Sequence, residues 1–144
     1  MCMLLRRRSA NKNSVVVDYR NLHSLLYKRP ERRKVLITRR PPAEVTGRNV
    51  YPIWITKIEH PGGIDPSRLH VLEQMVWDQM EMNGEIDVIV DAIEYLMMEH
   101  GVEQTLRFVS RLRDMAMVMN SNLYVTVGGG IDERTLALLR RLVE

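Results

Sequence analysis

Cysteine is nearly missing from this 144-residue chain; Cys2 stands alone. A single thiol forms no internal disulfide, and without a Cys pair a tetrahedral structural zinc site is excluded. A reducing cytoplasm is the expected compartment. The start, Met1 to Leu5 and then Arg6, Arg7 and Arg8, reverses the basic-then-apolar order of a secretory signal. No apolar run approaches the roughly 20 residues that cross a bilayer, so no transmembrane segment is expected. A phosphate-binding loop is absent too. Such a loop needs glycines so that backbone N–H groups can wrap phosphates, a Lys to reach them, and a Ser or Thr for the metal. After Val17 the chain reads Asp18-Tyr19-Arg20-Asn21-Leu22-His23-Ser24, with no glycine, and Gly128-Gly129-Gly130 is followed by no Lys-Ser/Thr pair. The serines lack the glycine-flanked elbow of a hydrolase. His23, His60, His70 and His100 show no metal-ligand spacing. These absences leave no catalytic residue, metal or cofactor to assign, and a non-enzymatic protein is expected.

What is present is an ordinary globular composition, 45% apolar and 27% charged, at a length that makes one domain with one core. Residues 1–14 read as a basic flexible tail, because Arg6 to Asn13 offers only Ala10 for packing. Residues 15–144 read as a single α/β domain. Short β-branched runs alternate with helical spacing: Ser14–Val17, a helix over 20–28, Lys34–Thr38, Tyr51–Thr56, then a helix opened by Asp65-Pro66 and closed by Asn83-Gly84. Ile86–Val90 follows, then a helical pattern broken at His100-Gly101 and resuming over Val102–Met119, with Val102, Leu106, Val109, Leu112 and Ala116 inward and Arg107 and Arg111 on the solvent face as a mildly unfavourable like-charge pair. Leu123–Val127 and a helix capped by Asp132 complete the chain. Pro61-Gly62-Gly63 reads as loop, and Trp54 is expected to pack on a helix. The order predicts a mostly parallel five-stranded sheet flanked by helices in three layers. Ile86–Val90 is apolar on both faces, as a central strand of a covered parallel sheet must be.

Such sheets place ligands at the carboxyl ends of their strands. Five residues fall there: Asp18, Thr38, Arg39, Thr56 and Asp91. Two carboxylates and an arginine could line a polar crevice. The plainer expectation for Asp91 is that it caps the helix beginning at Ala92 or pairs with Arg39. Glu94 and Tyr95, one turn on, could serve as an acid–base pair, but no nucleophile accompanies them, and packing is the expected role.

Leu36-Ile37-Thr38-Arg39 with Pro41, Ile53-Trp54-Ile55-Thr56, and Val88-Ile89-Val90-Asp91-Ala92-Ile93-Glu94-Tyr95-Leu96 resemble an archaeal family known as domain of unknown function 835, over roughly residues 15–144. The family usually carries glycine after the strand-end aspartate, where this chain has Ala92. The resemblance implies an archaeal source and a fold, and no activity. More distantly, the strand–helix–strand order with Val88-Ile89-Val90-Asp91 is similar to the core of RecA-like ATPases of the circadian-clock KaiC and RadA type. That similarity puts Asp91 in the Walker B position, beside a phosphate loop that is lost.

Two further features bear on partners. Residues 1–48 carry thirteen Lys and Arg against three acids, a net +10, and residues 49–144 carry eight against fifteen, a net −7. Most of this charge is expected to be solvated. A nucleic-acid-binding patch would draw on Arg6, Arg7, Arg8, Arg32, Arg33, Lys34, Arg39 and Arg40. The end of the long helical segment, with Met115, Met117 and Met119, is apolar nearly all round. Such a surface suits adaptable protein contacts. The leading expectation is a protein-interaction, regulatory or scaffolding domain that binds a protein partner or itself. Nucleic-acid binding and a small-ligand or nucleotide sensor are the alternatives.

Overall fold

The computed structural model describes residues 14–144. Arg6, Arg7, Arg8 and the rest of the expected tail to residue 13 lie outside the described residues. Ser14, counted with that tail, opens the first strand and is buried.

Six strands form one sheet: β1 (Ser14–Asp18), β2 (Lys34–Thr38), β3 (Val50–Ile55), β4 (Gly63–Ile64), β5 (Asp87–Asp91) and β6 (Asn122–Val127). All pairings are parallel, in the order β1-β6-β5-β2-β3-β4. The helices are α1 (Leu22–Tyr27), α2 (Leu69–Asn83), α3 (Ile93–Val118) and α4 (Glu133–Val143). The α/β class and the central position of the Asp91 strand are as expected. The strand count is corrected from five to six. β4 has two residues, the last glycine of the Pro61-Gly62-Gly63 stretch read as loop and the Ile64 that follows it, and two residues carry no alternation to detect. It is held to β3 partly by the Thr56 N–H donating to the Ile64 carbonyl at 2.9 Å.

Alternation along the strands sorts the helices. Val35, Ile37, Val88, Val90, Leu123 and Val125 face a large core with α2, α3 and α4. Leu36 and Ile89 point the other way, onto Leu22 and Leu26 of α1. Three helices therefore cover one face, and a six-residue helix is the main cover on the other.

Several local expectations are corrected. Asp65 does not cap α2; its carboxylate accepts from the Ser67 N–H at 2.9 Å, which makes a separate turn, and the helix starts at Leu69. Trp54 packs edge-on against His60, ring centroids 5.2 Å apart, rather than on a helix. Val102, expected to face the core, is exposed; it lies in the first turn after the break at Gly101, beside Ile131. Arg107 and Arg111 do not simply repel across a turn, because Arg107 pairs with Glu103 and Arg111 with Glu73.

The break in α3 is a real one. Gly101 has φ +83° and ψ 166°, a region open essentially to glycine alone. The Thr105 hydroxyl donates to the Gly101 carbonyl at 2.8 Å, a bond that ties the first turn after the break to Gly101. A Cβ at Gly101 would meet nothing within 4 Å, so the cost of adding one is backbone strain only. Gly101→Ala is expected to destabilise by about 1–3 kcal/mol in urea melts. Gly129→Ala, equally open and without a positive φ, should stay within about 0.5 kcal/mol of the parent.

Candidate functional site

Parallel pairing sets the carboxyl ends of β2, β5 and β6 side by side. Thr38 is in register with Asp91, and Thr126 follows Val125, the partner of Val90. The Thr126 hydroxyl donates to Asp91 Oδ1 at 2.7 Å and the Thr38 hydroxyl to Oδ2 at 3.3 Å. Both threonines are buried. Asp91 does not cap α3, whose N-cap is Ala92 without a side-chain bond, nor does it pair with Arg39. The Arg39 guanidinium lies over the Tyr95 ring, 3.8 Å from its centroid. Its attraction to the ring face draws it away from the carboxylate.

Burial pushes the Asp91 carboxyl pKa above its ordinary value. The Thr126 bond, the Arg40 charge and the Thr38 bond oppose the shift, and the Glu94 charge adds to it. With a raised folded pKa, the native state holds more protons than the unfolded chain between 3.8 and the raised value. Stability therefore falls as pH rises through that window. Asp91→Asn is expected to raise the Tm at neutral pH, and thermal melts across the acidic range should show the gain vanish as pH approaches 3.8.

The remaining candidates do not join this cluster. Asp18 ends β1, two strand spacings or roughly 10 Å across the sheet from β5. It accepts from the Arg20 N–H and Nε at 2.9 Å each and from Nη2 at 3.2 Å. The Arg20 side chain holds the Asp18 carboxyl below the usual carboxylate range. Thr56 is buried beyond β3, where its oxygen accepts from the Ile58 N–H at 3.1 Å. Its methyl lies 2.5 Å from where a Gly63 Cβ would stand, so it serves the β3–β4 junction. Of the five candidates, only Thr38 and Asp91 meet.

Three residues outside that set, Glu94, Gly128 and Tyr19, shape the crevice. The strand order reverses between β2 and β5, which run on to β3 and β6 in opposite directions, so the topological switch point holds Thr38 and Asp91. Beside it, the loops after β1 and β6 leave to opposite faces of the sheet. There the Gly128 N–H donates to the Glu94 carboxylate. A Cβ at Gly128 would stand 3.1 Å from Glu94 Oε2 and 3.7 Å from the Tyr19 ring. The place where an anion would take a backbone N–H is thus occupied by the chain's own carboxylate, with Tyr19 beside it. The glycine run is the sequence signal for this contact; for Glu94 the sequence suggests packing, with an acid–base pair as the other option.

Two cavities flank α1. One, of about 340 Å³, lies between α1 and the turn Pro42–Glu44 and is lined by Tyr19, His23, Tyr27, Leu36 and Arg40 among others. The other, of about 410 Å³, lies on the β1–β6 side with Val17, Leu25, Asp87 and Tyr124. The histidines do not converge: His100 Nε2 donates to the Pro66 carbonyl at 2.7 Å, His23 packs on Tyr27, and His60 accepts from the Gly62 N–H. Among the described residues no three His, Cys, Asp or Glu side chains are grouped to hold a metal ion.

A sequence model of the family described as Protein of unknown function (DUF835) matches residues 11–143. The chain belongs to the DUF835 family. No curated protein matches it. In this DUF835 chain the expected basic patch is divided. Lys34 is fully buried at the amino end of β2, where its ammonium donates to the carbonyls of Arg29 and Arg32 at 2.6 and 2.8 Å. Arg32 bonds Asp87 and Arg33 bonds Gln79. Arg39 and Arg40 stand at the other end of the strand, about 16 Å away. The methionine cluster is corrected in the same way. Met115 and Met119 pack on the core, and exposure remains at Met117 and its neighbour Val118. Among the described residues no helix is long and apolar enough to cross a membrane.

Proposed function

We propose that this DUF835 chain is a non-enzymatic interaction module: a RecA-like α/β sheet without a phosphate-binding loop, acting in archaeal regulation or scaffolding. The observation that carries the reading is the self-occupied crevice at the strand ends, with Glu94 on the Gly128 N–H and Tyr19 beside it. Asp91 fits the same reading. A carboxylate that helps hold a metal–nucleotide complex needs open coordination, and this one is half-buried and accepts hydrogen bonds from the hydroxyls of Thr38 and Thr126. The test is phosphate release from ATP and GTP with Mg²⁺. No release above the buffer blank is expected. Turnover by the purified protein that Asp91→Asn abolishes would overturn the reading.

The 340 Å³ cavity beside α1 favours one second reading, a sensor of a small anionic ligand. Its size falls in the range of small-molecule sites, and Arg40 at its edge makes no ion pair among the described residues. A thermal-shift screen with nucleotides and aromatic acids separates the two, since a saturable gain lost in Arg40→Ala belongs to the sensor alone.

A further inference from the structure

The two faces of β1 and β6 are treated differently. On one, Val16, Leu123 and Val125 are buried under the helical layer at 5% exposure or less. On the other, Val15, Val17 and Tyr124 of the same strands are only partly covered, because α1 sits mainly over Leu36 and Ile89 of β2 and β5. Parallel sheets are almost always covered on both faces, so among the described residues this flank is short of a layer. The 410 Å³ groove lies there. Its apolar surface is Val17, Leu25 and Tyr124, and Lys28 and Arg29 stand with Ser24 on the α1 side.

Charge says what kind of layer fits. Within residues 14–48, which build β1, α1 and β2, there are nine Lys and Arg against three acids. Arg32, Arg33 and Lys34 are engaged internally. Lys28 and Arg29 are exposed and make no ion pair among the described residues. We propose that the groove between α1 and the β1–β6 flank docks an acidic segment of a partner protein, with an apolar side chain on Val17, Leu25 and Tyr124 and carboxylates on Lys28 and Arg29. The proposal rests on the interaction-module reading and names its surface. A two-fold contact between copies through this groove would set Lys28 and Arg29 near their own counterparts, like charge against like. A nucleic-acid backbone gains nothing from the apolar floor.

The experiment is selection of random twelve-residue peptides displayed on phage against the full chain, followed by fluorescence polarisation and ¹⁵N spectra with the selected peptides. Enrichment of an aromatic or leucine flanked by Asp and Glu is expected, with resonance shifts at residues 17, 24–29 and 124. Lys28→Glu with Arg29→Glu should weaken binding at least tenfold while leaving the rest of the spectrum unchanged, and Arg134→Glu on α4 should leave binding intact. Peptides that bind regardless of the Lys28 and Arg29 changes would overturn this surface and leave the interaction reading standing. No selected peptide at all would overturn both. Concentration-dependent shifts at the same residues without peptide would assign the groove to a second copy. A DNA duplex that displaces the peptide would assign it to nucleic acid. Either of these last outcomes overturns the proposal.

Discussion

Asp87→Ala is expected to lower stability by about 3–5 kcal/mol, the loss that follows when one partner of a buried charge pair is removed. Asp87 is 4% exposed and accepts from Arg32 Nε at 2.8 Å and from Asn122 at 2.7 Å. It stands in register with Lys34, which is fully buried. Burial lowers the Lys34 pKa, and the Asp87 charge is the largest influence holding it up. Without Asp87 the ammonium keeps its carbonyl acceptors and loses its counter-charge. The pH dependence has a definite sign. Between a lowered folded pKa and the unfolded value of 10.5, the unfolded chain binds more protons, so stability rises with pH. The deficit of the variant should therefore shrink on the alkaline side. Urea unfolding gives the measurement, with the midpoint falling at constant slope. Lys34→Met in the Asp87→Ala background should recover part of the loss, because an apolar replacement of a buried pair is often close to neutral. A double variant no better than the single one would contradict the account of this network.

Phe108→Ala is expected to cost a similar amount, about 3–5 kcal/mol. Phe108 is the chain's only phenylalanine and is fully buried in the core between the sheet and the helical layer. Truncation removes apolar surface from burial and leaves a cavity that strands on one side and helices on the other cannot collapse into. Arg107→Ala is the control. Its side chain is 66% exposed and its partner Glu103 is 80% exposed, so the change should stay within about 0.5 kcal/mol. Equal effects at 107 and 108 would mean that the helix is rotated from the orientation described.

Phe108 also shows where sequence reading stops. Of the inward stripe expected for α3, Leu106, Val109, Leu112 and Ala116 are buried and Val102 is exposed, and the stripe missed Thr105 and Phe108. A helix pressed between a sheet and two neighbouring helices buries a wider arc than one stripe. Five of the six strands among the described residues, the helices and the break at Gly101 were legible because each has a local signal: β-branched runs, 3.6-residue spacing, a glycine at a helix end. What was not legible is register. Lys34 with Asp87 and Thr38 with Asp91 are matched polar pairs at opposite ends of two adjacent strands. The sequence holds them 53 residues apart, with nothing to say that β2 and β5 touch. Lys34 was therefore placed on the surface and Asp91 was given a helix to cap. Thr126 was missed for the same reason, and Glu94 because its partner is a backbone N–H in a distant turn. The charge split along the chain was visible, and the fold gives it a meaning. The basic third supplies α1 and its surroundings, and the remaining two thirds supply all three helices of the opposite layer.

The central claim is that the crevice at the carboxyl ends of the strands is occupied by the protein's own side chains. Its most direct test is a titration of the ¹⁵N-labelled chain with ATP and Mg²⁺, watching residues 18–21, 91–95 and 128–132. No saturable shifts at these positions are predicted up to millimolar nucleotide. Saturable shifts there that are lost in Asp91→Asn would contradict the claim.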